Sequence, residues 1–79
     1  MRIHMTEIDG SLFEIEATLD DSTFLNIGPN AYDLCVNQGI HIYKGEYGVH
    51  YLVDQDGNIL ASGMATIRTY IKFYILKVI

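Results

Sequence analysis

Two segments of the chain, residues 7–11 and residues 54–58, each place an Asp-Gly pair between runs of residues that favour β-strands. This pattern predicts two β-hairpins. In a three-residue hairpin loop the last position is left-handed, which suits Gly10 and Gly57. Such a loop pairs apolar residues with each other in the first hairpin, whereas a two-residue turn would pair apolar with charged residues. The predicted pairs are Arg2 with Glu16, Ile3 with Ile15, His4 with Glu14 and Met5 with Phe13.

The second hairpin is predicted to be part of a three-stranded meander over residues 40–62. Its first turn is expected to open with Gly45 in a type II′ conformation. The predicted pairs are Ile40 with Tyr51, His41 with His50, Ile42 with Val49, Tyr51 with Ala61 and Val53 with Ile59. This register places one apolar row toward the core: Ile40, Ile42, Val49, Tyr51, Val53, Ile59 and Ala61.

Residues 20–39 join the two sheet regions and carry turn and helix signals. Pro29 suits the first position of a helix, and Gly39 is typical of a position just past a helix end. We therefore expect a short helix from Pro29 to Gln38. Its inward residues are predicted to be Ala31, Leu34 and Cys35. Residues 23–27 fit a strand as well as a turn.

The C-terminal segment, residues 64–79, fits both a strand and a helix. The strand alternation of apolar and polar residues fails over residues 76–78, and the segment is long for a strand. As a helix, its apolar and aromatic residues form one stripe at i, i+3 and i+4 spacing. The stripe consists of Met64, Ile67, Ile71, Tyr74, Ile75 and Val78, and Tyr70 extends it. We therefore predict a helix, with Ser62 or Thr66 as its N-cap.

These elements predict a single α+β domain over residues 1–79. It contains an antiparallel sheet of about five strands, from the N-terminal hairpin and the meander, with a short middle helix and a C-terminal helix packed on one face. A single cysteine, Cys35, excludes an intrachain disulfide, so we expect a reducing cytoplasm. The C-terminal apolar region contains three cations and is shorter than the roughly 20 residues that cross a bilayer, so we expect no membrane span.

The net charge of −5 is unevenly distributed along the chain. Residues 1–33 carry seven carboxylates and one arginine, which gives −6, whereas residues 34–79 sum to +1. An acidic surface repels phosphate, so direct nucleic-acid binding is not expected and a basic protein is the better partner. The candidate partner-binding residues of this acidic face are Glu14, Glu16, Asp20 and Asp21. The alternative is that the carboxylates serve solubility alone.

The histidines and tyrosines of the meander form a second candidate surface. Six tyrosines and no tryptophan supply apolar area with a polar tip, which suits contact surfaces. The candidate ligand face consists of His41, Tyr43, Tyr47 and His50, where aromatic rings can stack on a base or ring. The alternative is that these are ordinary residues on the outer face of a sheet.

The chain carries no pattern that specifies catalysis or a metal site. Cys35 has apolar neighbours and no adjacent base, so we expect it in the core. The acidic turn at residues 54–58 lacks carboxylates at the first and twelfth positions that a calcium loop requires. His41 and His50 lack a third ligand. We therefore expect no enzymatic activity, no cofactor and no metal.

Two apolar residues of the predicted C-terminal helix, Phe73 and Leu76, point away from its core stripe. An exposed apolar patch usually marks a contact site, so we expect a homodimer or larger homo-oligomer through this face. The leading functional hypothesis is a non-enzymatic protein-interaction domain. It is similar in size and charge to small phage and mobile-element proteins that act by binding, which suggests an inhibitor of a basic nucleic-acid-binding protein. The alternative hypothesis is a small-ligand binding module at the candidate ligand face.

Overall fold

The computed structural model describes residues 2–7, 9–28 and 30–78. Within these residues the elements are β1 (Arg2–Thr6), β2 (Leu12–Glu16), β3 (Thr18–Leu19), α1 (Ala31–Asn37), β4 (His41–Lys44), β5 (His50–Val53), β6 (Ile59–Ser62) and α2 (Met64–Val78). β1 and β2 form a two-stranded antiparallel sheet, and the other strands form a four-stranded antiparallel sheet in the order β3-β4-β5-β6. The predicted α+β class is confirmed, with six strands divided between two sheets.

Both predicted three-residue hairpin loops are present. The N–H of Glu7 donates to the carbonyl of Ser11 at 2.9 Å, and the N–H of Asp54 donates to the carbonyl of Asn58 at 3.0 Å. Gly10 and Gly57 are left-handed, with φ values of 87° and 83°. The register of β1 with β2 pairs Met5 with Phe13 and His4 with Glu14, as the loop chemistry predicted.

The register predicted between β4 and β5 is wrong. The observed pairs are His41 with Val53, Ile42 with Leu52, Tyr43 with Tyr51 and Lys44 with His50. The reason lies in the turn, because Gly45 has φ −93° and does not open a type II′ turn. The chain instead makes a 3₁₀ turn over Glu46–Gly48, in which the left-handed positions are Tyr47 and Gly48. Because this loop is longer than the predicted turn, every residue predicted to pair between β4 and β5 has a different partner.

A bulge shifts the register between β5 and β6. Val53 pairs with Ile59 as predicted, but Leu52 pairs with Ala61 and Tyr51 with Ser62, so the predicted pair of Tyr51 with Ala61 is wrong. One extra residue of β6 lies between these pairs. The shift places Ile42, Leu52 and Ala61 in one row across the sheet.

The main core lies between this row and the helices. Its buried residues are Phe24, Ala31, Cys35, Ile40, Ile42, Leu52, Ala61, Ile67 and Ile71. The predicted stripe of α2 is confirmed where its side chains are described, because Ile67 and Ile71 are fully buried and Tyr74 is half-buried. The side chain of Val78 lies outside the described residues. No helix in the described ranges has the length and apolar character needed to span a membrane.

The helix ends differ in part from the predicted ones. α1 begins at Ala31, and Pro29 lies outside the described residues. It ends before Gly39, as predicted, and the N–H of Ile40 donates to the carbonyl of Cys35 at 2.9 Å. Neither predicted N-cap serves α2, because the carbonyl of Gly63 accepts the first helical hydrogen bond, from Ile67.

Further predictions concern the inward residues of α1 and the segment before it. Ala31 and Cys35 are buried, as predicted, whereas Leu34 is half-buried. Asp21–Asn26 forms a 3₁₀ segment, so residues 23–27 are not a strand.

The β1–β2 hairpin covers the face of the four-stranded sheet opposite α2. The N–H of Thr6 donates to the carbonyl of Gly57 at 2.8 Å, which ties β1 to the second hairpin turn. Met5 is fully buried, and Val53 is 3% exposed. A Cβ atom at Gly45 would lie 2.6 Å from Cδ1 of Ile15, so the two sheets approach each other closely at this position. The four-stranded sheet is therefore covered on both faces.

The two hairpin loops give a direct stability test. Gly10→Ala and Gly57→Ala are each expected to lower the free energy of unfolding by about 1 kcal/mol, because a left-handed conformation is unfavourable for alanine. Urea denaturation of both variants measures this change. Gly28→Ala serves as the matched control, because Gly28 has no positive φ and a Cβ atom there meets no neighbour within 4 Å. Wild-type stability in either loop variant would contradict the left-handed assignment at that loop.

Candidate functional site

The turn between β4 and β5 presents a fully exposed aromatic residue. The turn is closed by the N–H of Gly45, which donates to the carbonyl of Val49 at 2.8 Å. At its tip Tyr47 has φ 62° and ψ 19° and is 97% exposed. A tyrosine in the left-handed region is unfavourable by about 1–2 kcal/mol, and this ring gains nothing from burial that would offset it. Neither backbone preference nor burial explains this conformation, which makes Tyr47 a candidate contact residue.

Beside this turn lies a groove between the two sheets, which we call the Tyr47 groove. Its volume is about 300 Å³, and it is lined by Glu14, Ile15, Glu16, Glu46, Tyr47, Val49 and Tyr51. The apolar part comes from Ile15 and Tyr51, both half-buried, and from Val49, which is 38% exposed. The three carboxylates are exposed, and Glu14 also lies 3.3 Å from Nε2 of His4. The groove thus combines an apolar surface with local negative charge.

The other two predicted acidic-face residues, Asp20 and Asp21, are used within the fold. Oδ1 of Asp21 accepts a hydrogen bond from the N–H of Ile42 at 2.9 Å, and its Oδ2 lies 2.7 Å from Nδ1 of His41. Asp20 accepts from the hydroxyl of Thr23 at 2.9 Å. The structure therefore does not bring Asp20 and Asp21 together with Glu14 and Glu16 in one groove.

Asp20 also lies 3.2 Å from Nε2 of His50. Partial burial raises the pKa of Asp20, but hydrogen bonds from Thr23, Ser22 and His50, and the charge of His50, lower it further than burial raises it. The net result is a pKa below the usual value of an aspartate. The ionised carboxylate is thus the form that the native fold favours.

The predicted pairing of His41 with His50 is wrong. Because residues alternate between the faces of a sheet, the observed register places His41 and Tyr43 on the hairpin side and His50 on the helix side. Each histidine is bound by a different aspartate, as described above. Tyr43 is half-buried, and Tyr47 stands apart at the turn. The four residues of the candidate ligand face therefore do not form one surface, and ligand binding at any of them stays a prediction.

The outer side of α2 carries the predicted oligomer surface. Phe73 is 68% exposed, as its position off the core stripe predicted, and the side chain of Leu76 lies outside the described residues. Phe73 lines a shallow depression of about 220 Å³ with Tyr70, Tyr74 and Lys77, which we call the α2 depression. No ion pair involves Lys77 within the described part of the chain. This surface is therefore aromatic and locally cationic.

Cys35 and the turn at residues 54–58 have the structural roles that were predicted. Burial, and then the negative charge of Asp21, raise the pKa of the Cys35 thiol to about 11. Asp54 accepts hydrogen bonds from the N–H groups of Asp56 and Asn58, both at 2.9 Å, as expected of a hairpin turn. Among the residues described, no group of three potential ligands is arranged to hold a metal ion.

The sequence pattern predicts both exposed aromatic residues, Tyr47 and Phe73, but not the residues that lie beside Tyr47 in the structure. Tyr47 was grouped with the histidines because the turn was assigned to Gly45, and the groove carboxylates Glu14 and Glu16 were grouped with Asp20 and Asp21. Glu46 was not singled out. The pair of Glu46 and Tyr47 lies between Gly45 and Gly48, and this is the sequence signal for an exposed turn that carries both residues.

Comparison with known proteins adds no family assignment. No protein-family model matches the chain, and no curated protein or solved structure shows significant similarity to it. Function is therefore inferred from the Tyr47 groove and the α2 depression.

The lowered pKa of Asp20 predicts a specific loss of stability in acid. A group with a depressed folded-state pKa stabilises the fold above its unfolded pKa, near 3.8, and this contribution is lost as pH falls through the folded value. We expect Asp20→Asn to reduce the difference in unfolding free energy between pH 7 and about pH 3, measured by urea denaturation.

Asp56→Asn is the control for this measurement, because the Asp56 carboxylate accepts no hydrogen bond among the described residues. An unchanged pH dependence in Asp20→Asn would contradict the role given to Asp20.

The left-handed conformation of Tyr47 predicts that its replacement stabilises the fold. Tyr47→Gly is expected to raise the free energy of unfolding by about 1 kcal/mol, because glycine adopts this conformation without a steric cost. Gly48→Ala, at φ 74° with no atom within 4 Å of the added Cβ, should lower it by a similar amount. Chemical denaturation measures both. A loss of stability in Tyr47→Gly would mean that the ring packs against the fold.

Proposed function

We propose that the protein is a non-enzymatic protein-interaction domain that binds a basic, aromatic-bearing protein segment at the Tyr47 groove. The observation that carries this proposal is Tyr47 itself, which is held in an unfavourable backbone conformation and is 97% exposed. Tyrosine is enriched among the residues that dominate binding energy at protein interfaces. Its position beside an apolar groove supports a role in contact with another chain.

Charge decides the kind of partner. Three carboxylates line the groove, and Glu46 is adjacent to Tyr47 in the turn. A partner with Lys or Arg around an apolar side chain complements both the apolar and the charged parts of this surface. Cationic groups also interact favourably with the face of an exposed tyrosine ring. An acidic nucleic acid or an anionic lipid surface would instead be repelled.

The inhibitor hypothesis takes a narrower form under this proposal. A chain that blocks a basic protein would do so with Glu14, Glu16 and Glu46 and would not need Asp20 or Asp21, since those two stabilise the fold. Neutralising Asp20 and Asp21 would therefore confuse a loss of binding with a loss of folding. Tests of recognition should leave both unchanged.

A short synthetic peptide with one phenylalanine between lysines is a suitable probe of the groove. Titration into the labelled protein should shift the backbone amide resonances of Tyr47 and Val49. The affinity should fall as salt is raised, because the screening length falls from about 10 Å at 0.1 M to about 3 Å at 1 M. A peptide with glutamate in place of lysine, or serine in place of phenylalanine, should bind much more weakly.

Variants of the protein complete this test. Replacing the three groove carboxylates by glutamine should weaken peptide binding at low salt, whereas Asp33→Asn, at an exposed acid on α1, should have no effect. Tyr47→Gly should abolish the resonance shifts while the fold remains intact. Resonance shifts confined to other surfaces, or binding unaffected by these changes, would refute the proposed site.

A further inference from the structure

We propose that a second copy of this chain is a partner of the Tyr47 groove, with Tyr47 of one molecule inserted into the α2 depression of the other. This inference rests on the proposed function, and it names the basic aromatic segment as α2. The α2 depression is lined by Tyr70, Phe73, Tyr74 and Lys77. It is concave and aromatic, whereas Tyr47 is an exposed ring at the tip of a turn. The two surfaces therefore complement each other in shape.

The charges of the two surfaces are also complementary. Glu46 precedes Tyr47 in the turn, and Lys77 lines the depression that receives the ring. Glu14 and Glu16 line the groove beside the same turn. When the ring occupies the depression, Lys77 of one molecule approaches Glu46 of the other. Two copies of the groove, or two copies of the helix surface, would instead bring like charges together.

The fold prevents one molecule from satisfying both surfaces by itself. Tyr70 and Tyr74 pack against the core on the helix side of the four-stranded sheet. Tyr51, in the groove, lies on the hairpin side of the same sheet. The contact is therefore heterologous, with different surfaces on the two partners. An open assembly has one unused groove and one unused helix surface at its ends, whereas a closed ring of three or more molecules uses them all. Growth beyond a dimer follows.

The contact area is small, so the association is weak. A depression of about 220 Å³ accepts little more than one aromatic ring. Interfaces below about 1,200 Å² of buried surface belong to weak and transient complexes. Association is therefore expected only at high protein concentration, and it should weaken as salt is added.

Sedimentation equilibrium across about 10 µM to about 1 mM, the range suited to a weak interface, tests this inference. The wild type should rise past the mass of a dimer. A groove variant, Tyr47→Gly with Glu46→Lys, and a helix variant, Phe73→Asp with Lys77→Glu, should each be monomeric, with association at least about tenfold weaker. Leu25→Asp is the control, because Leu25 is an equally exposed apolar residue, 65% exposed, on neither surface.

An equimolar mixture of the groove variant and the helix variant is the decisive measurement. Each variant retains one intact surface, so the mixture should form a dimer of one copy of each and nothing larger. A symmetric contact between two α2 helices would instead leave the groove variant as self-associating as the wild type, which would overturn the inference. The inference would also be overturned if the wild type stayed monomeric at every concentration, or if Leu25→Asp weakened self-association as much as the groove and helix variants do. If the lysine-phenylalanine peptide still binds the groove of a monomeric protein, only the second copy is refuted and the proposed function stands.

Discussion

The four-stranded sheet has apolar side chains on both faces, and the rest of the structure follows from the need to cover each of them. The row of Ile42, Leu52 and Ala61 is covered by α1, α2 and the 3₁₀ segment. On the opposite face Val53 is buried under the β1–β2 hairpin. A chain of 79 residues has little material for two layers. The second cover is therefore only a two-stranded hairpin, and the gap at one end of it is the Tyr47 groove.

The parts of the fold that the sequence predicted correctly are those decided by residues close together in the chain. Both Asp-Gly loops and the β1–β2 register depend on turn chemistry within a few residues. The helical period of α2 likewise appears within one segment, so the burial of Ile67 and the exposure of Phe73 could be predicted together. Local rules were sufficient there because the competing conformations, a strand for α2 and a two-residue turn for the first hairpin, break the pattern of apolar positions.

The errors arose where a distant contact overrides a local preference. Gly45 looked like the left-handed residue of its turn, but it is extended and lies where Ile15 of the hairpin comes close. The left-handed positions are Gly48 and Tyr47, and no intrinsic propensity favours a tyrosine there. Asp20 and Asp21 were assigned to a partner surface because the groups that donate hydrogen bonds to them are brought close only when β3 pairs with β4. The aromatic residues of the candidate site could thus be predicted from the sequence, whereas their spatial arrangement could not.

The main-chain hydrogen bond from Thr6 to Gly57 has a consequence for folding during synthesis. The β1–β2 hairpin is synthesised before the four-stranded sheet and can close on its own, because its contacts are local. The surface that buries Met5, however, includes segments made much later, near the second hairpin turn. The nascent hairpin must therefore keep an apolar side uncovered until most of the chain exists. The hairpin segment, residues 2–16, carries four carboxylates and one arginine, and this net negative charge opposes aggregation of the nascent chain.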